Sequence, residues 1–266
     1  FKKVLEEDKQ KEIKAVILTH SETSTGVIND LETISSYIQE HNTALSIIDC
    51  VTSLGACNVP VDDWKLDVVA SGSQKGYMIP PGLSFIAMSQ KAWEATEKSN
   101  LPKFYLNLKS YKKSLLSNSN PYTPAVNLVF ALDEALKMMR EEGLDNIFLR
   151  HNKHKLAMSN AAKALNLKLF ANEKYLSPSI TAIETNGIDA EEFRKIIKNK
   201  FDILLAGGQD HLKGKIFRVG HLGYVNDRDI ITVISAISNT LLSLEKITAE
   251  QAGQALVIAS KHLYSN

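Results

Sequence analysis

Cysteine is nearly absent: Cys50 and Cys57 are the only two in 266 residues. Two thiols cannot build a disulfide framework, their C-V-T-S-L-G-A-C spacing is no zinc pattern, and they fall short of the usual four iron–sulfur ligands. A reducing compartment, the cytoplasm, is the expectation. An excess of one charge sign is missing as well. With 31 Lys+Arg against 30 Asp+Glu, no global field gathers phosphate backbones or anionic lipid, so neither a nucleic acid nor a membrane is expected as partner. No apolar run approaches the roughly 18 residues of a bilayer span, and no charged-then-apolar leader opens the chain. Internal repeats, G-x-G-x-x-G and P-loop signatures are lacking, which disfavours a nucleotide-binding module.

What remains is an ordinary globular composition, 44% hydrophobic and 23% charged, long enough for one large or two modest domains. The charged opening FKKVLEEDKQKEIK runs straight into the apolar Ala15–Leu18. A strand needing cover on both faces this early predicts further sequence upstream. Four strand-length runs follow, AVILTH (15–20), ALSIID (44–49), LDVVAS (66–71) and LSFIAM (83–88). Between the first two, Leu31, Ile34 and Ile38 recur at helical spacing behind Asn29 or Asp30 as N-cap. That is a βαβ unit with a right-handed crossover, and the unbroken apolar runs suit a mostly parallel α/β sheet covered on both faces.

After the loop-like SLLSNSNPYTP (114–124), Pro124 opens a long helix whose Val126, Val129, Phe130, Leu132 and Leu136 are expected to cover one face, with Gly143 ending it. A second helix, near 144–165, leads to a smaller α+β part. Its strands are expected near 167–171, 179–185, 203–206 and 215–219, its helices near 189–199 and 227–245, with a closing amphipathic helix. The division falls at 1–145 and 146–266.

Open parallel sheets bind ligands beyond the carboxyl ends of their strands. There stand Thr23 with its neighbouring hydroxyls, Asp49, and the Gln74–Lys75 pair. A carboxylate ending one strand and a lysine just past the next match what pyridoxal 5′-phosphate requires, an amine for its Schiff base and an anion for its pyridine nitrogen. Taken alone, the lysine is a solvated surface charge and Asp49 a turn or cap residue. Arg218, ending the apolar KIFRV, is costly there without a specific acidic partner, and taken alone it reads as one half of an intramolecular salt bridge. His151 and His154, at i, i+3, read as a solvated helix face, with no carboxylate or cysteine to complete a metal site. His211 and His221 are pocket or surface residues, and Gly207–Gly208 a tight turn.

SETSTG (21–26), IIDCVTSLGA (47–56), SGSQKGYMIPPGLSF (71–85) and GGQDHLKGKIFRVGHLG (207–223) together resemble the class V aminotransferases. The likeness is to the alanine/serine–glyoxylate (serine–pyruvate) group of the fold-type I pyridoxal-phosphate enzymes, some of which are labelled soluble hydrogenase subunits. The resemblance runs the length of the chain in collinear order. It implies that Lys75 bonds the cofactor and moves the substrate proton, Asp49 pairs with the pyridine nitrogen and Val51 packs on the ring. Thr23 is implied at the phenolic oxygen, Gln74 at the phosphate and Thr123 at the phosphate of a neighbouring subunit, while Arg218 grips the substrate carboxylate.

A homodimer with sites at the subunit boundary follows from the same likeness, with a small amino acid and an α-keto acid as substrates. Family members are longer at the front, where a Gly-rich phosphate turn and a ring-stacking aromatic lie. Two alternatives stand beside transamination: a non-catalytic fragment or subunit keeping the fold, and, below it, a cysteine desulfurase. The latter uses a cysteine on a mobile loop and a histidine before the lysine, where this chain has Gln74.

Overall fold

The computed structural model describes residues 1–264. Its first half is built on a four-stranded sheet. Helix α1 (Lys2–Glu7) precedes strand β1 (Ala15–Thr19), a short hairpin of β2 (Ser21–Glu22) and β3 (Val27–Ile28), helix α2 (Leu31–His41), and strands β4 (Leu45–Asp49), β5 (Val68–Gly72) and β6 (Ser84–Met88). The sheet order is β1-β4-β5-β6. β1, β4 and β5 run parallel, as the βαβ reading requires, and β6 returns antiparallel. Asp30, rather than Asn29, caps α2 by accepting the Thr33 amide at 3.1 Å. Asn42, in the left-handed region at φ 72°, ends it.

Among the described residues, α2 and the loops before β5 cover one face of this sheet. Leu18, Ile48 and Val69 point to the α2 side and pack with Leu31, Val59 and Leu66. On the other face, register aligns Ile17, Ile47, Val68 and Met88 in one cross-strand row and Thr19, Asp49, Ala70 and Ile86 in the next. Ile17 there is 77% exposed. The apolar runs arise from a sheet with two apolar faces, and among the described residues only one of these is covered.

Helices α3 (Gln90–Glu97), α4 (Leu108–Leu115), α5 (Val126–Glu142) and α6 (Leu144–Ala164) follow. α3 and α4, like α1, escape the periodicity reading because each is only 6–8 residues and rich in charge. α5 ends at Gly143 as expected, φ 82°, but the face expected to be covered is not: Val126, Val129, Phe130 and Leu136 are exposed. Ala135 and Met139 are the buried residues of this helix.

The remainder is an antiparallel sheet, order β7-β8-β10-β9, of β7 (Lys168–Leu169), β8 (Ile180–Glu184), β9 (Ala206–Gly207) and β10 (Ile216–Gly220). Gly207, expected in a turn, instead pairs with Phe217 as part of β9. Helices α7 (Ala190–Phe201), α8 (Asp227–Ser243) and α9 (Ala249–Tyr264) complete this part. With α6 they bury the largest core, around Met158, Ile183, Phe193, Phe217, Ile234 and Ile237. The hydroxyls of Ser21, Ser177 and Ser179 join the two halves, with Ser177 2.8 Å from each of the others. The Ser177 amide donates to Gly26 O at 2.9 Å. No helix among the described residues is long and apolar enough to cross a membrane.

Candidate active site

β4 delivers Asp49 to the carboxyl end of the sheet, on its open face between Thr19 and Ala70. The Val51 amide donates to its Oδ1 at 2.9 Å. Oδ2 has no hydrogen-bond partner among the described residues, and the side chain is exposed. Past Asp49 the chain folds into a tight turn, the Ser53 and Leu54 amides both donating to Cys50 O. Val51 lies half-buried on it.

Beyond β5, Ser73 pins an excursion of the chain over 74–82. Fully buried, it donates from Oγ to Pro80 O at 2.8 Å and accepts the Leu83 amide at 3.1 Å. At the tip, Gln74 folds back so that its Oε1 would lie 3.0 Å from a Cβ on Gly72. Lys75 is half-buried, and its ammonium has neither an ion-pair nor a hydrogen-bond partner among the described residues. What brings this loop to Asp49 is a pair of glycines. A Cβ on Gly76 would stand 2.9 Å from Gly55 Cα and closer still to Leu54 O. Only two bare backbones approach so closely.

Arg218 comes from the other sheet and is 8% exposed. Its Nε donates to Gly207 O and its Nη1 to Thr23 O, both at 2.8 Å. Neither partner is charged, and no carboxylate lies within ion-pair distance among the described residues. The intramolecular salt bridge entertained from sequence is therefore not formed. Burial lowers the guanidinium pKa, Arg194 adds to this, and Glu22 opposes it. A buried cation satisfied only by carbonyls keeps its charge uncompensated and available to an incoming anion. Thr23, half-buried between β2 and β3, contributes its carbonyl here, while its hydroxyl is unpaired among the described residues.

The structure thus gathers Asp49, Val51, Gln74 and Lys75 at one sheet end. Thr23 and Arg218 are coupled to it through the Thr52 Oγ1 hydrogen bond to Ser21 O, 2.7 Å. Thr123 is exposed on the stretch between α4 and α5 and bonded to none of them.

The reading of His151 and His154 as a solvated face is wrong: both are fully buried. A hydrogen bond joins His151 Nδ1 to Ile147 O at 2.7 Å, and His154 Nε2 meets Asp227 Oδ1 at 2.9 Å. His221 is buried, between Pro178 O and Thr181 Oγ1, and His211 is exposed. His20, set edge-on to Trp64 at 6.3 Å, is pushed down to about 4 by burial. Burial raises both thiols, Cys50 to about 11 and Cys57 to about 12. Sequence reasoning missed Ser73 and the glycine contacts; a glycine in each strand-end loop was the available signal.

Residues 2–223 match the aminotransferase class-V family. The chain is 59% identical over 244 residues to the soluble hydrogenase 42 kDa subunit of Anabaena cylindrica, covering 92% of this chain and 64% of that one. It is 34% identical to the serine–glyoxylate aminotransferase of Methylorubrum extorquens, over all of this chain and 68% of the relative. The crystal structure of ureidoglycine–glyoxylate aminotransferase from Bacillus subtilis superposes with a TM-score of 0.89 at 31% identity, covering 97% of this chain and 68% of that one. The chain thus spans about 64% of the length of the Anabaena protein. Its architecture is that of the fold-type I pyridoxal-phosphate enzymes, and the chain belongs to the class V aminotransferases.

Proposed function

We propose that the chain forms the catalytic core of a pyridoxal-phosphate-dependent transaminase that moves the amine of a small amino acid, alanine or serine, to glyoxylate or pyruvate. The observation that carries this reading is Arg218, a buried guanidinium satisfied only by neutral carbonyls. The donor set fits the cofactor: Asp49 has a free Oδ2 at the sheet end, and Lys75 has no ion partner to compete for its amine. When bound, the cofactor supplies an aldehyde for amines and an electron sink.

Asp49 would hold the pyridine nitrogen in its protonated form, and Lys75 would supply the amine that holds the cofactor and the base for the proton at the substrate Cα. Arg218 would fix the substrate carboxylate, Val51 would pack on the ring, and Thr23 would bond the phenolic oxygen. Gln74 would hold the phosphate, while Thr123 would reach the phosphate of a second subunit. The exposed Leu101, Phe104, Leu106, Leu115 and Leu116 flanking that stretch suit a homodimer with shared sites. A division near residue 145 then separates a cofactor-binding part from a smaller one that supplies Arg218, in a cytoplasmic protein. Glyoxylate as acceptor rests on the names of the relatives. A desulfurase would need an accessible thiol; Cys50 is fully buried, and burial raises both thiols.

Adding pyridoxal phosphate and recording the visible spectrum of the wild type and of Lys75→Ala tests the reading. A Lys75-dependent band bleached by alanine or serine supports it. A band of equal strength in both proteins, or none in either, overturns it in favour of a scaffold that keeps the fold.

A further inference from the structure

Helix α6 sends Arg150, His151 and His154 beneath the loop 221–226 that joins β10 to α8. Arg150 Nη1 donates to Gly223 O at 2.9 Å and Val225 O at 3.0 Å, while its Nε and Nη2 grip Glu142. The Gly223 amide donates to His151 Nε2 at 3.2 Å. The other ring nitrogen faces Ile147 O at 2.7 Å, and a carbonyl only accepts, so Nδ1 carries the hydrogen and Nε2 is free to accept. That arrangement requires a neutral ring. Burial keeps it neutral, lowering its pKa to about 4. Arg150 and His154 push the same way, while the Ile147 carbonyl and Glu142 oppose. Asp227, which holds His154, Asp229, which accepts the Asn226 amide, the exposed Tyr224 and the buried His221 are further ionisable groups around the loop.

Gly223 itself has φ +83°, and a Cβ on it would lie 3.2 Å from Lys75 O and 3.4 Å from Met78 Cγ. The peptide gripped by α6 therefore lies beside the Lys75 carbonyl, with barely room for one carbon between them. We propose that His151 is a positioning residue for Lys75, holding the Gly223 turn against the lysine's backbone and so setting where its amine stands. Arg150 fixes the turn's carbonyl, and His151 alone fixes its amide. The inference rests on the assignment of Lys75 as the reacting lysine. A displacement of about 1 Å at a reacting group is enough to cost around a hundredfold in rate, so a distant anchor matters.

The test needs no cofactor. Lysines of the folded chain are labelled with limiting acetic anhydride and the peptides quantified by mass spectrometry, taking Lys75 relative to the exposed Lys168. His151→Phe keeps a ring and loses the acceptor; His151→Gln restores an acceptor. The Lys75/Lys168 ratio should change by about threefold or more in His151→Phe and return close to wild type in His151→Gln. An unchanged ratio in a folded His151→Phe, or equal changes in both variants, overturns the proposal. Should His151→Phe not fold, Gly223→Ala drives a Cβ toward the Lys75 carbonyl and is read by the same ratio; no change there also overturns it. A wild type lacking the cofactor band but showing these ratio changes sinks the proposed function alone. The converse result sinks this inference alone.

Discussion

Gly76→Ala puts the organising contact of the candidate site under direct strain. The added Cβ would stand 2.9 Å from Gly55 Cα, with the Leu54 carbonyl nearer still, whereas carbon atoms rest at about 3.5–4.0 Å. The Asp49 loop and the Lys75 loop must therefore part by about 1 Å. Both sides of the contact are backbone, so neither can yield by a rotamer change, and Gly55 is already committed at φ +80°. Overpacking of this kind costs about 1–3 kcal/mol, a fraction of the stability of the chain, so the variant should fold and lose urea resistance by that amount. The catalytic consequence is larger: a shift of about 1 Å between Asp49 and Lys75 should lower the rate of amine transfer around a hundredfold. Urea melts followed by far-ultraviolet circular dichroism give the first quantity, and alanine-dependent bleaching of the Lys75 band gives the second. A variant that bleaches within about twofold of wild type would refute the idea that loop-to-loop approach sets the geometry.

Acid should weaken the fold well before carboxylates titrate. Burial holds His20 and His151 down to about 4 and His221 to about 3, while in the unfolded chain each takes a proton near 6.5. Below about 6.5 the unfolded state binds more protons, so this stability is complete above that pH and is lost toward 4. The slope is up to about 1.4 kcal/mol per pH unit for each histidine. Urea midpoints at pH 7 and pH 5 check it; equal midpoints would contradict it, and His221→Gln should flatten the difference. Arg218→Met removes the fork while keeping an unbranched stem, and should raise the amino-acid concentration for half-maximal bleaching about tenfold to a hundredfold. If saturation is unchanged, the guanidinium does not meet the substrate.

The strands and their order along the chain were legible because periodicity and turn residues are local. The βαβ unit, a cap at Asn29 or Asp30 and the Gly143 stop are recoverable from the sequence, and the four strands of the first sheet fall within two residues of expectation, while the short β2–β3 hairpin escaped it. Which face of each element is covered was not legible. Val126, Val129 and Phe130 look like a buried stripe, yet a stripe shows only that something apolar belongs against it, and among the described residues all three are exposed. The histidines failed for the opposite reason. His151 and His154 look polar, and their burial becomes tolerable through partners, the Ile147 carbonyl one turn back and the distant Gly223 amide for one, and Asp227 for the other. At the site, chemistry-bearing residue types were visible, whereas the contact that aims them joins Gly55 to Gly76, about 20 positions apart on two separate loops.

The uncovered side of the first sheet has a consequence for handling the protein as well as for its chemistry. Rows of part-exposed isoleucine, valine and methionine, bounded by β1 and β6 with one edge of each unpaired among the described residues, make a surface that favours any apolar contact within reach. Concentration, more than temperature, then governs whether the isolated chain remains a single species. Asp49 ends β4 on that same face, so whatever settles on the rows also decides how much water reaches this carboxylate.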